Sequence, residues 1–134
     1  MLEQKIIVFD GAMGTMIQQQ GLGEDDFRGS SFQQHPSPLK GNNDLLSITR
    51  PDVIEKIHLE FLESGANIIG TNTFNANRIS QADYNLETSV TEINRCAVEI
   101  ARKAVEKYQS GKTAEEIQSD HPIFVAGSIG PTNR

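Results

Sequence analysis

Small and polar residues gather at three points where apolar runs end. Asp10-Gly11-Ala12-Met13-Gly14-Thr15 follows the run Lys5 to Phe9, and Thr71-Asn72-Thr73-Phe74-Asn75 follows the run from Ala66. Gly127-Ser128-Ile129-Gly130-Pro131-Thr132-Asn133 follows the run from Pro122. The first cluster is chemically the most telling. An acidic residue leads into a turn of small residues, whose backbone N–H groups can point together and bind an anion. Asp10 places negative charge beside that position. A phosphate would be repelled there unless a metal intervened, whereas a zwitterion satisfies both parts. The pattern therefore suits an amino acid, its carboxylate on the N–H groups and its ammonium near Asp10. A strand-ending aspartate beside a tight glycine turn, with no ligand, accounts for the same residues equally well. The spacing does not match the dinucleotide fingerprint Gly-x-Gly-x-x-Gly.

The other polar residues are less specific. Asn72 and Thr73 carry donors and acceptors toward the same end, with Asn75 and Asn77 beyond them, but loop capping uses the same residue types. Phe74 is expected to pack on the next helix rather than wall a pocket. Gly127, Gly130 and Pro131 are expected to shape a turn, and Asn42, Asn43 and Asp44 to order a long connection. His58, beside an apolar helical stripe, reads as a partly buried structural histidine. His35 and His121 each precede a proline and read as solvated. Cys96 reads as a packing residue within a helix. No Cys/His pair has metal-ligand spacing, and no phosphate loop or nucleophile elbow is present.

Elements that could bring the three clusters together alternate along the chain. Lys5–Asp10 is an apolar run without polar alternation, as expected of a strand buried on both faces. A short helix is predicted within residues 12–20, ending at Gly21, and 30–43 reads as loop. A helix begins near Thr49-Arg50-Pro51-Asp52, with Thr49 as its cap and Pro51 in the first turn. Its stripe is Val53, Ile54, Ile57, Phe61 and Leu62, and Gly65 ends it. Residues 66–72 form the second strand. A second helix follows, with Ser89 and Glu92 at capping-box spacing. Val90, Ile93, Ala97, Ile100, Ala101, Ala104 and Val105 form its stripe, and Gly111 closes it. Residues 113–119 are either a small helix boxed by Thr113 and Glu116 or structureless. Residues 122–127 form the third strand. Strands joined by helical crossovers imply a parallel α/β fold, βαβαβ. An open doubly wound sheet and a closed (β/α)8 barrel share this start. Ligands in both bind at the carboxyl ends of the strands, where all three clusters fall.

Composition narrows the function classes. The 134 residues suffice for one modest domain, with 18 acidic against 12 basic residues and a formal charge of −6. The basic residues are scattered, which argues against phosphate-directed nucleic-acid binding. No apolar run reaches the ~20 residues of a membrane span, and no secretory signal is visible. A single cysteine excludes an intrachain disulfide and fits a reducing cytoplasm. There is no internal repeat.

Five segments in order carry a resemblance: Asp10-Gly11-Ala12-Met13-Gly14-Thr15, Gly41-Asn42-Asn43-Asp44-Leu45, Gly65-Ala66-Asn67-Ile68-Ile69, Thr71-Asn72-Thr73-Phe74 and Gly130-Pro131-Thr132-Asn133. Together they resemble the homocysteine S-methyltransferases, and within that family the N-terminal region of the cobalamin-dependent methionine synthases. The resemblance spans essentially the whole chain. It implies a (β/α)8 TIM barrel of which residues 1–134 are the N-terminal part, truncated after about three strands. It implies transfer of a methyl group from methyltetrahydrofolate, through methylcobalamin, to homocysteine. Asp10, Gly11, Ala12 and Met13 correspond to the grip on the amino-acid end of homocysteine, and Asn72, Thr73 and Phe74 to residues lining the site. The cysteines that hold zinc have no counterpart here and are expected downstream of Arg134; Cys96 matches none of them. The corrinoid and folate domains of that family are expected outside this segment. The chain alone is expected to lack catalytic residues, bound zinc and activity, and to self-associate through open sheet edges. Two other readings remain: a small non-enzymatic α/β binding module, and a barrel enzyme of different chemistry.

Overall fold

The computed structural model describes residues 6–119 and 122–132. Lys5, at the start of the first expected strand, and His121 lie outside the described residues. The fold is mixed α/β around a small parallel sheet. Strand β1 (Ile68–Gly70) pairs with β2 (Phe124–Ala126), in register Ile68 with Phe124, Ile69 with Val125 and Gly70 with Ala126.

The first expected strand is reduced to an extended segment with one parallel bridge, Phe9 to Ile68. Asp10 N–H donates to the Ile68 carbonyl at 2.9 Å, and the N–H groups of Asn67 and Ile68 donate to the Val8 carbonyl at 2.7 and 3.2 Å. Val8 N–H is taken by the Asn67 side-chain oxygen at 2.9 Å instead of a backbone carbonyl. A side chain thus replaces one rung of the ladder at a segment that, among the described residues, has a partner on one side. The second and third strands are likewise shorter than the apolar runs that predicted them. The lateral order is segment 8–10, β1, β2.

Two long helices cover one face of this sheet. Helix α4 (Pro51–Glu63) buries Val53, Ile54, Ile57 and Leu62, and α6 (Val90–Ser110) buries Ile93, Ala97, Ile100, Ala101 and Ala104. Ile69, fully buried, packs with Leu62, Ala101 and Ala104. The alanine row of α6 removes the bulk that would hold the helix away from the sheet. Both crossovers therefore wind in the same direction, an arrangement common to a barrel and to one half of a doubly wound sheet. On the opposite face, among the described residues, Phe9 and Phe124, in one row with Ile68, are 60% and 43% exposed.

The expected caps need correction. Helix α4 is preceded by Arg50, not capped by Thr49, whose hydroxyl donates to the Leu45 carbonyl at 3.4 Å. A preceding helix, α3 (Leu46–Thr49), holds Thr49 and leaves it unable to reach forward. Ser89 ends a 3₁₀ turn (Glu87–Ser89) in helical conformation, so the Ser89–Glu92 box does not form. By contrast α7 (Ala114–Ser119) has its box: Thr113 N–H donates to Glu116 Oε2 at 2.7 Å and Glu116 N–H to Thr113 Oγ1 at 3.2 Å.

The long first connection holds more structure than its composition suggests. Helix α1 (Met13–Gln19) lies where one was expected, and Gly21 takes φ +63° after it. Helix α2 (Glu24–Arg28) was not foreseen; Asp26 accepts the Gly23 N–H at 3.0 Å and so closes its first turn. Two residues of α2 then organise the following loop. Glu24 accepts the N–H groups of Leu39 and Lys40 at 2.6 and 2.7 Å. The Arg28 guanidinium donates to the carbonyls of Phe32, His35 and Ser37 at 3.1, 2.8 and 3.1 Å. His35 is not solvated as expected: its Nε2 lies 2.7 Å from the Tyr84 carbonyl and its ring meets Phe32 edge-on. The connection ends in a 3₁₀ turn (Asn43–Leu45) that runs into α3.

Candidate functional site

Asp10 leaves the extended segment at its carboxyl end, and Gly70 ends β1 beside it. The Gly70 N–H donates to Asp10 Oδ2 at 2.9 Å, which fixes the carboxylate against the neighbouring strand and leaves Oδ1 for another partner. Burial pushes the Asp10 carboxyl above its ordinary range, opposed by that N–H bond. The chain then turns through Gly11 and Ala12 into α1. Ala12 holds the N-cap position without a side-chain cap, so the first N–H groups of the helix lack intrahelical acceptors. Adding a Cβ at Gly11 would place it 3.1 Å from the Phe61 ring, so the turn lies close against α4.

After β1 the chain turns at residues 71–75. Thr71 and Thr73 share a hydroxyl–hydroxyl bond of 2.7 Å, and the Thr73 hydroxyl also lies 2.8 Å from the Ser128 carbonyl. Asn72 is buried, and its Nδ2 donates to the Asn43 carbonyl at 2.8 Å. Phe74 does not pack on the next helix. It is 53% exposed, and the Gly130 N–H donates to its carbonyl at 2.9 Å.

These turns surround one cavity of about 580 Å³, within the range of small-molecule sites. Its walls are residues 10–14, 41–44 and 70–75, with Ser80, Asp83, Tyr84, Ser128 and Pro131. All seven residues singled out from the sequence, Asp10, Gly11, Ala12, Met13, Asn72, Thr73 and Phe74, line it. The Asn72 amide nitrogen and the Thr73 hydroxyl are already partnered within the protein. Asn77 does not line it; its side chain caps α5 (Arg78–Gln81) by accepting the Ser80 N–H at 2.8 Å. Ser80, Asp83 and Tyr84 were missed. They come to the wall because the chain folds back after α5, and the one signal was Asn85, which takes φ +56° at the reversal. The lining contains three aspartates, Asp10, Asp44 and Asp83, and no lysine, arginine or histidine. An electropositive group is favoured here, and an anionic group must rely on neutral donors, backbone N–H groups and side-chain hydroxyls or amides.

Gly130 is the tightest point of the wall. A Cβ there would sit 2.5 Å from the Phe74 carbonyl oxygen and 2.7 Å from its ring. Gly130→Ala is therefore expected to displace Phe74 and destabilise by about 1–3 kcal/mol, as overpacking does. Thermal unfolding checks this; a melting temperature equal to wild type would place the two turns farther apart than described.

Among the described residues no group of three His, Cys, Asp or Glu side chains could hold a metal ion. Cys96 lies on α6, and burial raises its thiol above the ordinary value, the reverse of what a metal thiolate requires. No helix among the described residues is long and apolar enough to cross a membrane.

Fold and site together define a parallel α/β protein whose strand ends converge on an acidic cavity large enough for a small molecule. The family model for homocysteine S-methyltransferase matches residues 7–134, and the chain belongs to that family. It is similar to the oxidized form of the homocysteine methyltransferase MmuM from Escherichia coli, with TM-score 0.72 and 26% identity, over 98% of this chain and 39% of that one. The metallated form of the same enzyme matches with TM-score 0.70 and 26% identity, over 97% of this chain and 40% of that one. The present chain thus spans about two-fifths of the length of these solved relatives.

Proposed function

We propose that this chain is the amino-terminal, homocysteine-binding part of a methionine synthase, in which a methyl group passes from methyltetrahydrofolate through methylcobalamin to homocysteine. The observation that carries the homocysteine assignment is the convergence of the Asp10–Gly14 turn and the 70–75 turn on one cavity without basic side chains. In this reading the ammonium of homocysteine meets Asp10 Oδ1, and its carboxylate meets the N–H groups of Gly11, Ala12 and Met13. Asn72, Thr73 and Phe74 form the facing wall. The cobalamin-dependent branch rests on the five sequence segments taken together.

The zinc that activates the homocysteine sulfur in this reading needs thiolate donors, and the cavity lining offers none. We assign those donors to cysteines beyond Arg134, within a (β/α)8 barrel that residues 1–134 begin. Zinc would supply a homocysteine thiolate at neutral pH. The present residues would bind and orient the amino-acid end. This segment alone would then neither hold zinc tightly nor transfer methyl groups. Its uncovered sheet face and open edges favour self-association, which light scattering would detect; a clean monomer counts against it. We place the protein in the cytoplasm.

Calorimetry with homocysteine, on the complete homocysteine-binding domain, tests the assignment. Asp10→Ala should weaken binding roughly 10- to 100-fold, the range of a charge-assisted hydrogen bond. Unchanged affinity removes Asp10 from the ammonium site. The bond needs an ionised Asp10, so affinity should fall as pH drops through its raised pKa. Asp10→Asn should abolish that dependence.

A further inference from the structure

Asn75 is exposed on the cavity wall, yet its backbone is held on both sides by buried side chains. Its N–H donates to Asp44 Oδ2 at 2.8 Å, and its carbonyl accepts from Gln81 Nε2 at 3.1 Å. Asp44 is 3% exposed and Gln81 fully buried. Gln81 in turn exchanges two amide bonds with buried Asn42, Asn42 Nδ2 donating to Gln81 Oε1 at 2.8 Å and Gln81 Nε2 to Asn42 Oδ1 at 3.1 Å. Three polar side chains from the long first connection and from α5 are therefore buried around one residue at the cavity rim. Burying polar groups, and a carboxylate above all, is unfavourable unless their bonds are made. A surface turn commonly closes with backbone bonds or with its own short polar side chains, whereas this one draws on buried side chains from distant segments. The same segment is already tied by Gly130 at the Phe74 carbonyl.

We propose that Asp44 and Gln81 are positioning residues for the amino-acid site: they clamp the Asn75 backbone and so fix the Phe74–Asn75 edge of the cavity against the Asp10 turn. This rests on the homocysteine reading for its ligand, but the clamp itself is a property of the present chain. Asp44 acts through Asn75 rather than by touching the ligand. A neutral acceptor of the same shape should therefore replace it.

The experiment compares Asp44→Ala, Asp44→Asn and Gln81→Met with wild type. Homocysteine affinity of the complete domain is measured by calorimetry, and exchange of the Asn75 amide proton is measured by NMR on the present chain. Asp44→Ala should weaken homocysteine about tenfold and expose the Asn75 amide to exchange. Asp44→Asn should stay within about threefold of wild type, with the amide still protected. Gln81→Met, which leaves Asp44 in place, should weaken binding and carries the test if Asp44→Ala does not fold. Wild-type affinity in a folded Asp44→Ala or Gln81→Met variant overturns the clamp. Loss of binding in a folded Asp44→Asn variant also overturns it, because charge at the ligand would then be what matters. If wild type itself ignores homocysteine, the proposed function fails, while amide exchange still decides whether the clamp exists.

Discussion

Acidification from pH 7 to pH 4 should remove about 3 kcal/mol of stability through His58 alone. This side chain is fully buried on α4, and neither ring nitrogen has a hydrogen-bond partner among the described residues. Burial lowers its pKa from 6.5 to about 4. Below pH 6.5 the unfolded chain takes up a proton that the folded chain refuses, so unfolding gains free energy as pH falls. The stability is fully present above pH 6.5 and is lost progressively down to about pH 4. At ~1.36 kcal/mol per pH unit, the loss is about 2 kcal/mol at pH 5. Asp10 and Asp44 push the other way, since burial raises both, so the comparison must isolate His58. His58→Leu does so. Urea unfolding at pH 7 and pH 5 should find the wild type losing about 2 kcal/mol more than the variant. Parallel pH profiles would mean that the imidazole is solvated or partnered. At pH 7 the leucine variant should be at least as stable, because it removes two unpartnered polar atoms and no hydrogen bond.

The other large effect is expected at Leu45. It closes the 3₁₀ turn whose preceding residues, Asn43 and Asp44, line the cavity. Leu45 is fully buried and belongs to the core cluster with Leu46, Ile54 and Ile93. Leu45→Ala should destabilise by about 2–5 kcal/mol, from lost burial and from the void left behind. The clamp on Asn75 should loosen with it, since Asp44 is the adjacent residue. Denaturant unfolding measures the first effect, with Ile129→Ala, at a position 93% exposed, as a near-neutral reference. A loss below 1 kcal/mol would mean that the connection settles into the gap, so that the cavity floor is not fixed by this contact.

Much of the architecture was legible because it follows periodicity. The stripes of α4 and α6 repeat at helical spacing, and their buried residues are largely those the pattern selects. Likewise the placement of polar turns at the ends of parallel apolar runs located the cavity without coordinates. Capping was legible only where the neighbouring chain permitted it. Thr113 and Glu116 form their box on a short exposed helix. Thr49 and Ser89 fail because short helical turns immediately before them consume the same residues, and local spacing carries no trace of that competition. All three strands are shorter than the apolar runs that predicted them, because pairing, which no run of apolar residues records, sets where a ladder ends. The fold-back that brings Tyr84 to the wall depends on distant contacts, among them His35 on the Tyr84 carbonyl. His58 was legible as structural, but its complete burial was not, because helical position fixes direction and not what packs opposite.

Loop 32–40 lacks ladder hydrogen bonds of its own, and α2 supplies what they would otherwise provide. Glu24 and Arg28, one helical turn apart, hold opposite halves of it, the carboxylate gathering N–H groups and the guanidinium gathering carbonyls. A planar fork with five donors can serve several carbonyls at fixed angles, and an ammonium cannot. The carbonyls of Phe32, His35 and Ser37 thus share one cation, and lysine in its place would keep the charge while releasing that part of the backbone path.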